Sequence, residues 1–152
     1  MYTGLLHTHA LLRYVVLILL IVVIVRTLSG WLSGKPFKII DDKLSLYAFI
    51  SVHVQLLIGL ILYFISPRVN WAAYETSEIM KDTEMRYWHI EHISVMIIGI
   101  AVITVGRILA KKALTEVKKH KLTFIFYTIG LIIILSRIPF PFTTVSRNWL
   151  PF

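Results

Sequence analysis

Four uninterrupted apolar stretches dominate this chain: Leu5 to Val25, Leu44 to Ile65, Tyr87 to Ala110 and Leu122 to Ile138. A hydrocarbon layer about 30 Å thick takes roughly 20 helical residues to cross, and each stretch is of that order. Lipid offers no partner to a loose backbone N–H or C=O, so a crossing segment must be a helix or a strand of a closed barrel. A barrel needs alternating apolar and polar positions, whereas these runs are continuous. The expected fold is therefore all-α, an integral membrane four-helix bundle forming one domain over residues 1–152. Composition agrees, since a chain that is 57% hydrophobic with a mean hydropathy of +0.78 has too little polar surface to cover a soluble globule. No Lys or Arg precedes Arg13. The first stretch thus lacks the basic start of a cleavable signal, is too long for one, and is expected to be retained.

Breakers flank the runs. Ser66-Pro67 follows the second, Pro139-Phe140-Pro141 closes the fourth, and Gly30, Gly34 and Pro36 are read as the first connection, where a helix would not continue. Charge sets the direction. The third connection holds Lys111, Lys112, Lys118, Lys119 and Lys121 against Glu116, and the first adds Arg26, Lys35, Lys38 and Lys43, partly offset by Asp41 and Asp42. In the second, Glu75, Glu78, Asp82 and Glu84 face Arg68, Lys81 and Arg86. Basic connections stay on the cytoplasmic side, so both termini are expected outside. Trp31, Trp71, Trp88 and Trp149 fall near span ends, as an interfacial aromatic belt requires.

With no cysteine, the chain has no disulfide, thiolate-bound cluster or cysteine-attached haem, and histidine is left as the main transition-metal ligand. The net charge of +8 does not indicate nucleic acid, because the basic residues sit in short stretches beside apolar runs. No nucleophilic triad, phosphate-cradling glycine loop or paired catalytic carboxylate is present, so hydrolytic and phosphoryl chemistry lack support.

Depth organises the polar residues inside the runs. At about 1.5 Å per residue, His9, His92 and Arg137 each lie about six or seven residues to the outer side of their span midpoints. His7 and His89 pair nearer the outer surface, and His53 lies close to the bilayer centre. His120 belongs to the lysine-rich loop and is expected to be solvated. At about 100° per residue, His89 and His92 share a face, His9 and Arg13 share one, and His7 and His9 cannot both look inward. Heptad steps from His92 reach Gly99 and Gly106, and the stripe back from Arg137 contains Gly130, Tyr127 and Thr123. Small residues in a membrane helix permit either close helix packing or a flat macrocycle against the helix.

A haem between two helices needs one imidazole from each at nearly one depth. His9 with His92 meets that condition best, His7 with His89 is second, and His53 fits only if the spans shift or tilt. On this reading Arg13 and Arg137 meet the propionates in guanidinium forks. Glu91 would orient an imidazole by accepting its other N–H, and Gly99 and Gly130 would line the site. Plainer roles stand beside these: His7 and His89 as interfacial residues, Glu91 as a surface carboxylate, Gln55 as interhelical glue and His53 as a buried hydrogen-bonded histidine. Arg26 and Arg107 are expected to snorkel to the inner interface.

LHTHALLRY at Leu6 to Tyr14, SVHVQLLIGLILYFISP at Ser51 to Pro67 and EHISVMIIGI at Glu91 to Ile100, with the basic third loop and the closing IPFPF, resemble segments of small bacterial four-helix membrane proteins of the cytochrome b and cytochrome-b-like type. The resemblance implies haem b and electron transfer in the bacterial cytoplasmic membrane, with His9, His53 and His92 as the positions carried over and Arg13 and Glu91 in support. Two haems would need matched histidines at two depths; one well-matched level implies one haem at most. The leading expectation is a b-type cytochrome, an electron-transfer subunit working with quinone or a larger respiratory complex rather than a stand-alone enzyme. Two others remain: a copper or zinc site built from His7 or His9 with His89, His92 and Glu91, and a non-catalytic subunit of a membrane complex. The segment Asn70 to Met85 is expected to be a partner surface or an interfacial helix.

Overall fold

The computed structural model describes residues 1–148, so Trp149 of the expected aromatic belt lies outside the described residues. All regular structure among them is helical: α1 (Tyr2–Leu32), α2 (Ile39–Ile65), α3 (Thr76–Lys81), α4 (Thr83–Arg86), a π-helical turn (Tyr87–Glu91), α5 (His92–Lys112) and α6 (Glu116–Leu135). Three helical stretches are long and apolar enough to cross a membrane: Tyr2–Leu32, Ile39–Ile65 and Thr83–Lys112. In α6, Glu116, Lys118, Lys119 and Lys121 occupy the first turns and shorten the apolar part.

Helix ends follow local chemistry. α1 runs without a break past Gly30, which overturns the reading of Gly30 as part of a connection. The imidazole of His120 packs where a Gly30 Cβ would stand, so the glycine serves a close approach inside the helix. His120 is accordingly 2% exposed rather than solvated, and it meets the Phe37 ring edge-on at 4.8 Å. The chain turns instead at Gly34, whose φ of +61° suits glycine. α2 opens with the Lys38 backbone N–H donating to Asp41 Oδ2 at 2.9 Å, and Asp41 and Asp42 lie in its first turn, where the helix dipole favours anions. In α6, Thr115 Oγ1 accepts from the Lys118 N–H at 3.3 Å as an N-cap. The helix stops at Leu135, short of the expected Ile138, because Pro139 has no N–H to continue the ladder.

Helix α1 packs on α2 and α6, and α5 packs on α2 and α6, which closes the four long helices into a ring. Its centre is aliphatic, built on Leu20, Val23, Val52 and Ile103 around a fully buried Tyr127. The Tyr127 hydroxyl donates to the Ser45 carbonyl at 2.8 Å, which satisfies the one polar atom such a ring brings inside. α5 and α6 form the most extensive interface. A Cβ on Gly99 would stand 2.8 Å from Ile134 Cγ1 and 3.3 Å from the Gly130 carbonyl oxygen, and one on Gly130 would stand 3.0 Å from the Gly99 oxygen. Gly106 accommodates Phe126 in the same way. The stripe therefore serves helix packing. Gly99 and Gly130 face each other across this seam and do not line the cavity that holds His9 and His92, which corrects their placement as site-lining residues.

One end of the ring is tied by charge. Arg26 donates to Asp41 Oδ1 from Nε at 3.0 Å and from Nη2 at 2.8 Å, bridging α1 and α2. Arg107 does not snorkel. It is 8% exposed, donates to Ser45 Oγ and pairs with Asp42 at 2.9 Å.

The glycine seam gives a direct test. Gly130→Ala or Gly99→Ala should cost about 1–3 kcal/mol by overpacking, lowering the thermal unfolding midpoint in detergent. Gly4→Ala, where nothing lies within 4 Å of the added carbon, should leave that midpoint level or slightly raised, since Ala favours the helix.

Candidate functional site

A cavity of about 500 Å³ opens between α1, α2, α5 and the segment that follows α6, within the size range of cofactor and small-ligand sites. His9 from α1 and His92 from α5 both line it, as do Arg13, Gln55 and Gly59. His53, His7, His89, Glu91, Arg137, Gly99 and Gly130 do not.

The π-helical turn decides which histidine of the Trp88–Ser94 segment looks inward. Its i→i+5 bond runs from the His92 N–H to the Tyr87 carbonyl, and the extra residue rotates everything before it relative to α5. His89 and His92, expected on one face, are thereby separated. The buried ring of His89 points to the connection after α2, where Nδ1 bonds the Met85 carbonyl at 2.8 Å and Nε2 accepts the Asn70 N–H at 3.1 Å. Both nitrogens are committed, so His89 has no lone pair for a metal.

His92 is held differently. Its Nδ1 lies 2.8 Å from the Arg137 carbonyl, an acceptor that α6 leaves without a helical partner because the chain departs the helix there. A carbonyl can only accept, so Nδ1 carries the proton and Nε2 keeps a free lone pair. Tyr87 donates its hydroxyl to the same carbonyl at 2.7 Å and steadies that acceptor. Glu91, expected to orient an imidazole, pairs instead with Arg86 at 2.8 Å and Arg137 at 3.2 Å. Arg137 thus contributes its backbone oxygen to the site while its guanidinium is drawn to Glu91 outside the cavity.

His9 is fixed through its backbone and its ring. Gln55 Nε2 donates to the His9 carbonyl at 2.8 Å, tying α2 to α1 at this level. A Cβ on Gly59 would stand 3.0 Å from His9 Cε1, so the ring lies over a position that must stay small. Among the described residues, the buried atoms His9 Nδ1, Gln55 Oε1 and Trp88 Nε1 find no hydrogen-bond partner. All three residues line the cavity, and orphaned buried polar atoms gathered around one space signal a ligand or water.

His53 sits away from this space. Its Nδ1 bonds the Phe49 carbonyl at 2.7 Å, and its Nε2 lies 3.4 Å from Thr104 Oγ1 on α5. His53 is therefore a hydrogen-bonded histidine, as in the plainer role considered above, but half-buried rather than buried. Among the described residues no three of His, Cys, Asp and Glu gather as a metal site, and the copper or zinc reading loses its ligand set. The rim is cationic beyond expectation. Arg68 and Arg147 line the cavity beside Arg13. Burial, and then the neighbouring Arg68 charge, lower Arg147 from the ordinary guanidinium range; both guanidinium groups face the Trp88 ring, at 5.9 and 5.2 Å.

No protein-family model, no curated protein and no solved structure matches the chain.

The assignment of His89 to structure is checked by stability. His89→Ala leaves the Asn70 N–H without its acceptor and should cost about 1–3 kcal/mol, seen as a lower unfolding midpoint.

Proposed function

We propose that this protein is a membrane-embedded b-type cytochrome that holds one haem in the cavity between α1 and α5 and passes electrons to or from quinone or a partner in a larger membrane complex. One observation carries the reading: His9 and His92, from two different helices, line the same cavity of about 500 Å³. The residues present fit such a group. Two imidazoles would supply nitrogen donors for its iron, the missing Cβ of Gly59 admits the His9 ring at this level, and buried His9 Nδ1 lacks a hydrogen-bond partner among the described residues. Bound haem supplies a one-electron ferric/ferrous couple.

The chain's own groups then have distinct tasks. The Arg137 carbonyl holds the His92 ring in the tautomer with Nε2 unprotonated, the arrangement usual for a ligating histidine. Gln55 fixes the level of His9. Arg13, Arg68 and Arg147 give the rim the positive charge that propionate carboxylates require. Val16, Leu17, Ile100 and Ile134 wall the space with apolar groups.

The reading extends to topology. α6 is taken as a fourth crossing, with the lysine-rich connection between α5 and α6 in the bacterial cytoplasm and both termini outside. The chain has no cysteine, so Thr3→Cys and Leu114→Cys each introduce one thiol. A membrane-impermeant maleimide added to intact cells should label the first and spare the second; the reverse pattern overturns the topology.

Purified protein should show a Soret band and a dithionite-reduced minus oxidised difference spectrum of b type. His9→Ala and His92→Ala should each abolish it, whereas His53→Ala and His7→Ala should retain it. A protein that shows no Soret band as isolated, and none after haem reconstitution, would falsify the proposal.

A further inference from the structure

At the opposite end of the ring from the histidine cavity, a second pocket of about 220 Å³ lies between the start of α2, the end of α5 and the start of α6. Four cationic side chains line it, Lys38, Arg107, Lys111 and Lys119, against one carboxylate, Asp42. Asp42 is already shared, taking Arg107 at 2.9 Å and Lys111 at 3.3 Å. Lys119 pairs with Glu116 at 2.7 Å. Lys38 makes no ion pair among the described residues. Positive charge therefore exceeds negative charge at the pocket.

We infer that this pocket binds the phosphate headgroup of an anionic phospholipid. The charge selects a phosphate-bearing anion, and the position selects a lipid. The pocket sits where α2 starts and α5 ends, both in stretches apolar enough to cross a membrane, so it lies at headgroup level, where basic pockets between helices take anionic lipids. Its wall includes Phe37 and Ile39. Ile39 is 76% exposed, which offers apolar surface for acyl chains next to the charged cluster. Arg107 is held rigidly by Ser45 and Asp42, whereas the lysines supply adaptable point charges.

Native mass spectrometry of the full chain in detergent, with phosphatidylglycerol or phosphatidylethanolamine added, tests the inference. A retained adduct should form preferentially with phosphatidylglycerol. Lys38→Gln breaks no described ion pair and should weaken it about fivefold, the fold-change matching the roughly 1 kcal/mol of one lysine beside an anionic surface. Lys38→Gln/Lys111→Gln/Lys119→Gln should weaken it by on the order of tenfold or more. The control Lys35→Gln/Lys112→Gln/Lys118→Gln removes equal charge outside the pocket and should leave the adduct in place. Equal retention of both lipids, or equal loss in the control, overturns the inference. Inorganic phosphate alone retained as strongly as the lipid would overturn the lipid assignment.

Discussion

Backbone contact between α5 and α6 at Gly99 and Gly130 is the constraint on which the rest of the structure depends. In lipid there is little hydrophobic drive to bring two helices together, so association rests on packing and on polar atoms that must find partners. Mutual absence of a Cβ at Gly99 and Gly130 lets each helix meet the other's carbonyl oxygen. That approach brings the end of α6 beside the start of α5, where the Arg137 carbonyl receives the His92 Nδ1–H. A seam of packing thereby sets the direction of an imidazole several turns away.

The two ends of the ring solve different problems. At one end Asp41, Asp42 and Glu116 answer Arg26, Arg107, Lys111 and Lys119, so the connections are tied by ion pairs. At the other, Glu91 is divided between Arg86 and Arg137, and no carboxylate among the described residues lines the cavity whose rim carries Arg13, Arg68 and Arg147. Between them the centre is aliphatic, and the hydroxyl of the fully buried Tyr127 donates to the Ser45 backbone oxygen, as burial demands.

The long helices were legible in the sequence because continuous apolar runs have few other fates, and the common depth of His9 and His92 followed from counting residues at helical rise. Other features depended on contacts that no periodicity encodes. Gly30 reads as a turn signal, yet a distant His120 ring needs its missing side chain. His89 and His92 share a face only on a regular helix, and the π-helical turn removes that premise. Thr104, the neighbour of His53, lies on another helix at a register that depends on tilt. Arg68 lies in the connection after α2 and Arg147 in the segment after α6, so depth arithmetic did not reach them. Gly59 carried a usable hint as a lone small residue in an apolar run, though its partner on α1 is set only by packing.

The π-helical turn also acts as a phase shifter between two parts of the molecule. Residues before it answer to the connection that follows α2, where His89 and Trp71 meet edge-on at 5.2 Å, and residues after it answer to the ring of helices. With one extra residue absorbed between them, the angular setting of that connection is uncoupled from that of His92. Substitution, or even a change of length, in the Asn70–Met85 segment can thus be taken up locally, while α5 keeps its rotation.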